Sequence, residues 1–271
     1  MTQNHLMASP SKKRLHLPGV TLCAVSSTNI EATVEAMRTC LEYAEFADAV
    51  LCTDKAPAIA QLDSGPTIRI VEIEELISAQ AYSHFILERL INHIATDHCL
   101  IVQWDGHIID PARWRAEFLH YDYIGASWPQ FNDGDNVGNG GFSLRSRRLM
   151  ELCRQPKFRA HHPEDVAVCR TNRALLQSQG MRFAPAAVAE TFASERAGDP
   201  AQSFGYHGVF LMPKILGPDR FWRIYRTLDT RTSLWRDLRS ITKALRLGQN
   251  SALRSLQLFV SRLLDFVSRL F

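Results

Sequence analysis

The sequence has no C-x-x-C pair, no apolar run long and uncharged enough to span a bilayer, no internal repeat and no large excess of either charge. Each absence excludes something. Without paired thiols, a dithiol redox centre or zinc-ribbon site has no ligands to use. The six cysteines (Cys23, Cys40, Cys52, Cys99, Cys153 and Cys169) are therefore expected as free thiols in a reducing cytoplasm. Cys23, Cys52 and Cys99 sit in apolar runs, where a reduced cysteine behaves as a small buried hydrophobe. No membrane-spanning helix is expected. The first apolar run begins only after Pro18, so no secretory leader is expected either. A net charge of +3 gives no reason to expect nucleic-acid binding. The glycines fit neither the dinucleotide fingerprint nor the P-loop, because their spacing is wrong for both and no Gly-Lys-Ser/Thr follows them.

What is present suits one α/β domain with a small appendage. The chain has 271 residues, 46% hydrophobic and 22% charged, enough for a sizeable core and too few for two full enzyme domains. Residues 19–26 (GVTLCAVS), 49–53 (AVLCT), 67–73 and 98–103 (HCLIVQ) read as buried strands. Between them, 30–46 reads as a helix capped by Asn29, with Val34, Met37, Leu41 and Tyr43 apolar, and 79–94 as a helix with Phe85, Ile86, Leu90 and Ile94 on one side. Asp63 to Pro66 reads as a turn. Strand–helix–strand alternation implies a mostly parallel sheet flanked by helices, with ligands bound beyond the carboxyl ends of the strands. Further on, 144–153 and 164–179 read as helices and 182–184 as a short strand. The expected division is a flexible leader over 1–17, an α/β domain over 18–227 and a basic amphipathic helical tail over 228–271.

Four segments carry candidate chemistry. Asp105 follows the fourth strand in Gln103-Trp104-Asp105-Gly106-His107, where an acid can hold a divalent cation against a diphosphate; Asp-Gly is also a common turn. Val137-Gly138-Asn139-Gly140-Gly141-Phe142-Ser143 lets backbone approach a ligand, or is a flexible hairpin. In His161-His162-Pro163-Glu164-Asp165 the two acids fall in a helix's first turn, favoured by its dipole, and either suits a general base taking a proton from a sugar hydroxyl. Finally, His207 lies between glycines in Phe204-Gly205-Tyr206-His207-Gly208, as a late metal ligand or an ordinary loop histidine.

The stretches TDHCLIVQWDGHIID, YDYIGASWPQF, VGNGGFSLRSRRL, HPEDV and FGYHG resemble, over about 20–208, the DUF5672 family, whose members are expected to be glycosyltransferases. More distantly, the NGGF…ED layout is similar to β-1,4-galactosyltransferases and other GT-A enzymes. The resemblance implies a GT-A-like fold and transfer of a sugar from a nucleotide-sugar donor to a glycan or lipid-linked acceptor in surface polysaccharide synthesis, with inversion. It implies a divalent cation, Mn²⁺ or Mg²⁺. Asp105 takes the last position of an Asp-x-Asp motif whose first acid is replaced by Gln103; read forward, Asp105-Gly106-His107 resembles the Asp-x-His of polypeptide GalNAc transferases. His207 matches a C-terminal metal ligand and Asp165 the catalytic base, with Glu164 beside it. Val25, Ser26, Thr28 and Asn29, with Gln103 and Trp104, would hold the donor; Asn139, Gly140, Gly141, Phe142 and Trp128 would meet the acceptor.

Between residues 228 and 271 eight basic residues face three acidic ones, leaving the rest slightly acidic. Leu234, Leu238, Ile241 and Leu245 share one face of a first helix, and Gly248 to Ser251 breaks it. Leu253, Leu256, Val260, Leu263, Val267 and Leu270 then repeat at helical spacing, with Phe259 and Phe266 widening the stripe. Such helices suit an anionic membrane surface, a hairpin packed on the body, or a coiled-coil homodimer. The first implies a cytoplasmic protein peripheral to the inner face of the membrane. An alternative to the enzyme is a glycosyltransferase-like scaffold that has lost catalysis and binds at the membrane; the incomplete Asp-x-Asp motif favours it.

Overall fold

A computed structural model describes residues 14–56 and 67–267. The expected leader up to residue 13, the Asp63–Pro66 turn, and Arg269 and Leu270 of the tail lie outside the described residues. In chain order the strands are β1 (Leu15–Val25), β2 (Ala44–Thr53), β3 (Arg69–Glu72), β4 (His98–Val102), β5 (Gly106–Ile108), β6 (Tyr123–Ile124), β7 (Phe142–Ser146), β8 (Ala193–Ser194) and β9 (Gly205–His207). The main sheet has the order β3-β2-β1-β4-β7-β6. Its first four strands are parallel, and β7 and β6 run antiparallel to their neighbours. A small sheet, β5-β9-β8, stands beside it. This is the mostly parallel α/β sheet flanked by helices that the alternation predicts, followed by a C-terminal amphipathic helix.

The two-residue period of the central strands sorts their side chains into two layers. Leu22, Ala24, Leu51, Leu100 and Val102 face α1 (Ile30–Tyr43), meeting Val34, Met37 and Leu41. Cys23, Cys52, Cys99 and Ile101 face the other way, onto Phe85, Ile86, Leu90 and Ile94. The second helical segment is α2 (Ala79–His84), continued by a π turn (Phe85–Arg89) and a 3₁₀ turn (Leu90–His93). All six cysteines are free and buried.

Several boundaries move for local reasons. Strand β1 begins earlier than expected because Leu15–Leu17 pair with Ala44–Phe46, across an irregularity around Pro18 and Gly19. That pairing also takes residues 44–46 away from the expected end of α1. The expected helix from Leu144 starts three residues later. Leu144 to Ser146 belong to β7, and the Ser146 hydroxyl caps α3 (Arg147–Leu152) by accepting from Leu149 N. The expected helix over 164–179 is interrupted. It runs as α4 (Glu164–Val166), a π turn and α5 (Arg173–Ser178), and the Asn172 amide at the break donates to Ala167 O and Arg159 O.

After α6 (Ala186–Phe192) and β9, the chain continues through α7 (Met212–Ile215), α8 (Pro218–Thr227), α9 (Leu238–Leu245) and α10 (Ser251–Val267). The two amphipathic tail helices behave differently. Leu234, Leu238, Ile241 and Leu245 are buried against Phe221, Ile224 and Tyr225. The α10 stripe stays exposed. Ile241→Ala is therefore expected to cost about 2–5 kcal/mol in urea unfolding, and Leu256→Ala on α10 to stay within about 0.5 kcal/mol. Equal losses would mean that the apolar stripe of α10 packs on the body.

Candidate active site

A cleft of about 730 Å³ opens beyond the carboxyl ends of β1 and β4. Its walls come from distant parts of the chain: Val25–Thr28 after β1, Tyr82 on α2, Gln103 and Trp104 after β4, Asn139–Gly141 before β7, Glu164 and Asp165 on α4, and His207 on β9. Among these lining residues there is no lysine or arginine.

His207 is the centre of one cluster. Burial alone would lower its imidazole pKa, but Asp105 and then Glu195 outweigh that and lift it to about 10. Its Nε2 lies 3.3 Å from Asp105 Oδ1, and its Nδ1 3.6 Å from Glu195 Oε1. The Nε2 proton is aimed instead at Gln103 Oε1, 3.2 Å away, so buried Asp105 Oδ1 has an ion-pair neighbour but no aligned donor. Glu195 is held in turn by the Asn139 amide, which donates to it, while Asn139 Oδ1 accepts from Gly141 N. A Cβ at Gly141 would run into the His207 ring. The paired glycines thus let the loop lie flat against this cluster.

His207 Nε2 lies 3.3 Å from Asp105 Oδ1 and 3.2 Å from Gln103 Oε1, close to the roughly 3 Å between ligands that share an octahedral edge at bond lengths of about 2.1 Å. Among the described residues no three His, Cys, Asp or Glu side chains can hold a metal by themselves. A Mg²⁺- or Mn²⁺-type ion held here would displace the Nε2 proton of His207 and take its remaining ligands from a substrate diphosphate and water. Asp105 itself is buried and off the cleft wall, which His207 reaches.

The two acids of the HPEDV segment divide. Glu164 lies beneath Gly140 and accepts from Arg145 at 2.7 Å, both side chains being almost wholly buried. A Cβ at Gly140 would strike that carboxylate. Asp165 faces the cleft, accepting from Gly140 N at 3.1 Å and Val166 N at 2.8 Å. Burial, then repulsion from Glu164, raises its pKa to about 6. A carboxylate near neutrality in a cleft wall is poised to exchange a proton.

Other expected site residues lie elsewhere. His107 is paired with Tyr206 across the β5–β9 register, whereas His207 pairs with Gly106, so the two histidines occupy opposite faces of that sheet. His107 Nδ1 donates to Ile108 O, its ring packs edge-on to Tyr206, and burial lowers its pKa to about 4. It cannot share a cation with His207. Phe142 is fully buried among Phe192 and Phe204, out of reach of an acceptor. Trp128 packs across the backbone of Gly138 and edge-on to Phe131, away from the cleft. Asn29 is left-handed (φ 52°), makes no side-chain cap, and is buried; its side chain exchanges hydrogen bonds with the Thr230 backbone and its N–H donates to Asp229. It fastens the tail to the cleft edge instead of touching a donor.

The sequence reading missed Tyr82, Arg145 as a partner of Glu164, Glu195, and Thr230 and Thr232. Burial keeps the Tyr82 phenol protonated; its oxygen accepts from Gln103 Nε2 at 2.9 Å, which leaves its proton for a ligand. Arg145 was visible only as one of a basic run, and no local signal marks Glu195.

A family model described as "Protein of unknown function (DUF5672)" matches residues 67–207, just over half of the chain. No curated protein matches. Among solved structures, the mannosyltransferase PcManGT from Pyrobaculum calidifontis in complex with GDP-Man and Mn²⁺ is 13% identical, with a TM-score of 0.47 over 99% of this chain and 84% of that one. The galactosyltransferase LgtC in complex with donor and acceptor sugar analogs is 14% identical, with a TM-score of 0.42 over 80% of this chain and 99% of that one. The bifunctional IspDF from Campylobacter jejuni is 9% identical, with a TM-score of 0.40 over 61% of this chain and 48% of that one.

Two stability measurements test the division of the acids. Glu164→Gln leaves the Arg145 guanidinium buried without its carboxylate and should cost about 3–5 kcal/mol in urea unfolding. Asp165 titrates higher in the folded chain (about 6) than in the unfolded one (about 3.9), so the native state binds more protons between those values. Its contribution is present below pH 4 and lost as pH rises through 6. Wild type should therefore lose stability relative to Asp165→Asn across pH 4–6; parallel curves would mean that Asp165 is not raised.

Proposed function

Because the chain belongs to the DUF5672 family, which carries no assigned activity, we propose from the chemistry of the cleft that it transfers a sugar from a nucleotide-sugar donor to a glycan or lipid-linked acceptor. The observation that carries this reading is the pairing, in one cleft at the carboxyl edge of a parallel sheet, of a carboxylate raised towards neutrality with an Asp105–His207 cluster suited to a diphosphate-bound cation. A diphosphate entering the cleft would meet Glu164 and Asp165 and no lysine or arginine on the walls. A cation bound at His207 would displace that side chain's proton and supply the counter-charge that the walls do not offer a leaving diphosphate. Mn²⁺ or Mg²⁺ on Asp105 and His207, with Gln103 alongside, would stabilise the charge developing on the leaving diphosphate.

In this reading Val25–Thr28 form the donor side, and the turn there is pre-set because the Ser26 hydroxyl donates to Thr28 O. Trp104 and the Tyr82 hydroxyl border the same space. Asp165 takes the proton from the acceptor hydroxyl as the oxygen attacks, a single displacement that inverts the sugar carbon. Glu164 positions Asp165 while its own carboxylate is bound to Arg145.

Three variants test this with a thermal-shift screen of nucleotide sugars, with and without Mn²⁺, followed by transfer assays. Asp105→Ala and His207→Ala should lose the Mn²⁺-dependent shift, whereas His107→Gln should keep it. Asp165→Asn should bind donor normally and lose transfer by roughly 10²–10⁴-fold. An Mn²⁺-dependent shift unchanged in Asp105→Ala overturns the cation assignment. Donor binding in wild type with no transfer to any acceptor favours the inactive scaffold.

A further inference from the structure

Helix α10 packs with its polarity inverted. The side turned to the body carries Arg254, Ser255, Leu258, Ser261 and Asp265. Leu258 is fully buried in the apolar cluster beneath the helix, and the contacts around it are polar: Arg254 donates to Asp219 Oδ1 at 2.6 Å, Ser261 and the Tyr225 hydroxyl are 2.8 Å apart, and Trp235 Nε1 donates to Asp265 at 2.8 Å. The opposite side presents Leu253, Leu256, Phe259, Val260, Leu263 and Leu264, each 47–63% exposed. A contiguous apolar face of this kind, fixed outward by directional bonds behind it, is the mark of a surface that meets another apolar phase.

The surroundings say which phase. A groove of about 730 Å³ between α8 and α10 is lined by Arg226, Arg231 and Arg254 with Trp222 and Tyr225, and it opens beside Leu253, Leu256 and Val260. Arg231 stands over the Tyr225 ring, and its Nε is buried without a partner. Arg246 and Arg262 are exposed on the same two helices, α9's end and α10. The acids nearby are all engaged: Asp219 by Arg254, Asp229 by Asn29, Asp237 by Arg196 and Asp265 by Trp235. The face is thus apolar with a cationic border and an arginine–aromatic groove. A second copy would bring the same positive charges together; a bilayer with anionic phosphate headgroups complements both parts.

We propose that α10 docks this protein on an anionic phospholipid surface, with its apolar side in the acyl boundary and a headgroup phosphate in the Arg226–Arg231–Arg254 groove. The position of the groove adds a consequence. Arg231 lines it, while its neighbours Thr230 and Thr232 line the cleft. Docking would therefore hold the cleft mouth against the bilayer, where a lipid-linked acceptor would arrive; the docking itself does not depend on transfer.

Cosedimentation of the full chain with vesicles of phosphatidylcholine alone, or with 30% phosphatidylglycerol, measures this (the vesicle composition being about that of a moderately anionic leaflet). Wild type should bind the anionic vesicles at least tenfold better than the neutral ones, and less well as salt rises. Leu256→Glu/Phe259→Glu/Leu263→Glu should lose that binding at least tenfold with little change in melting temperature, since these side chains are more than half exposed. Arg226→Glu should weaken anionic-vesicle binding several-fold and leave neutral-vesicle binding alone. Equal sedimentation of wild type and the triple variant overturns the proposal. So does an absence of vesicle binding with a dimer, seen by light scattering, that the triple variant makes monomeric.

Discussion

The buried Arg145–Glu164 ion pair is the contact on which the cleft depends. Two opposite charges with almost no solvent between them are tolerable only while each has the other, because removing either strands a charge in a low-dielectric interior. Arg145 comes from β7 and Glu164 from α4, so the pair ties the antiparallel edge of the main sheet to the helix start that carries Asp165. It also fixes what lies above it. Gly140 has no room for a side chain over Glu164, and Gly140 N is thereby delivered to Asp165. With Glu164 bound to Arg145, the adjacent acid is left in a buried place next to a negative charge, and its pKa rises. One contact sets the loop, the position of the acid and its protonation together.

The second determinant is strand register. β5 and β9 are about a hundred residues apart, yet their antiparallel pairing puts Gly106 opposite His207 and His107 opposite Tyr206. Because side chains alternate across a strand, that register alone decides which histidine shares a face with Asp105's neighbours and which is sealed in the core. A shift by one residue would exchange them. The Asp105-Gly106-His107 motif could not disclose this, since both histidines look equivalent until the partner strand is known.

The same limit explains what was and was not legible in the sequence. The buried strands, Val34-Met37-Leu41 on α1 and Leu234-Leu238-Ile241-Leu245 near the tail were readable, because apolar periodicity reports burial directly. The four chemical segments were readable too, and each of them contributes to the cleft wall. Residues whose role is set by a distant partner were not. Asn29 looked like a cap or a donor contact and is instead engaged with Asp229 and Thr230, two hundred residues away. Phe142 and Trp128 were expected to meet the acceptor, but an aromatic that packs on a glycine loop or the core behind it reads the same way in the sequence.

α10 shows the complementary case, in which periodicity was right and its usual interpretation was not. A stripe of leucine, valine and phenylalanine at helical spacing ordinarily turns inward, as the stripe ending at Leu245 does. What reverses α10 is the content of its other face. Arg254, Ser261 and Asp265 find a carboxylate, a phenol and an indole N–H on the body, three directional bonds that only one rotation of the helix can satisfy at once. Had the apolar stripe turned inward, those three partners would have lost their bonds. The polar face therefore fixes the orientation, and the apolar face is left for whatever lies outside the chain.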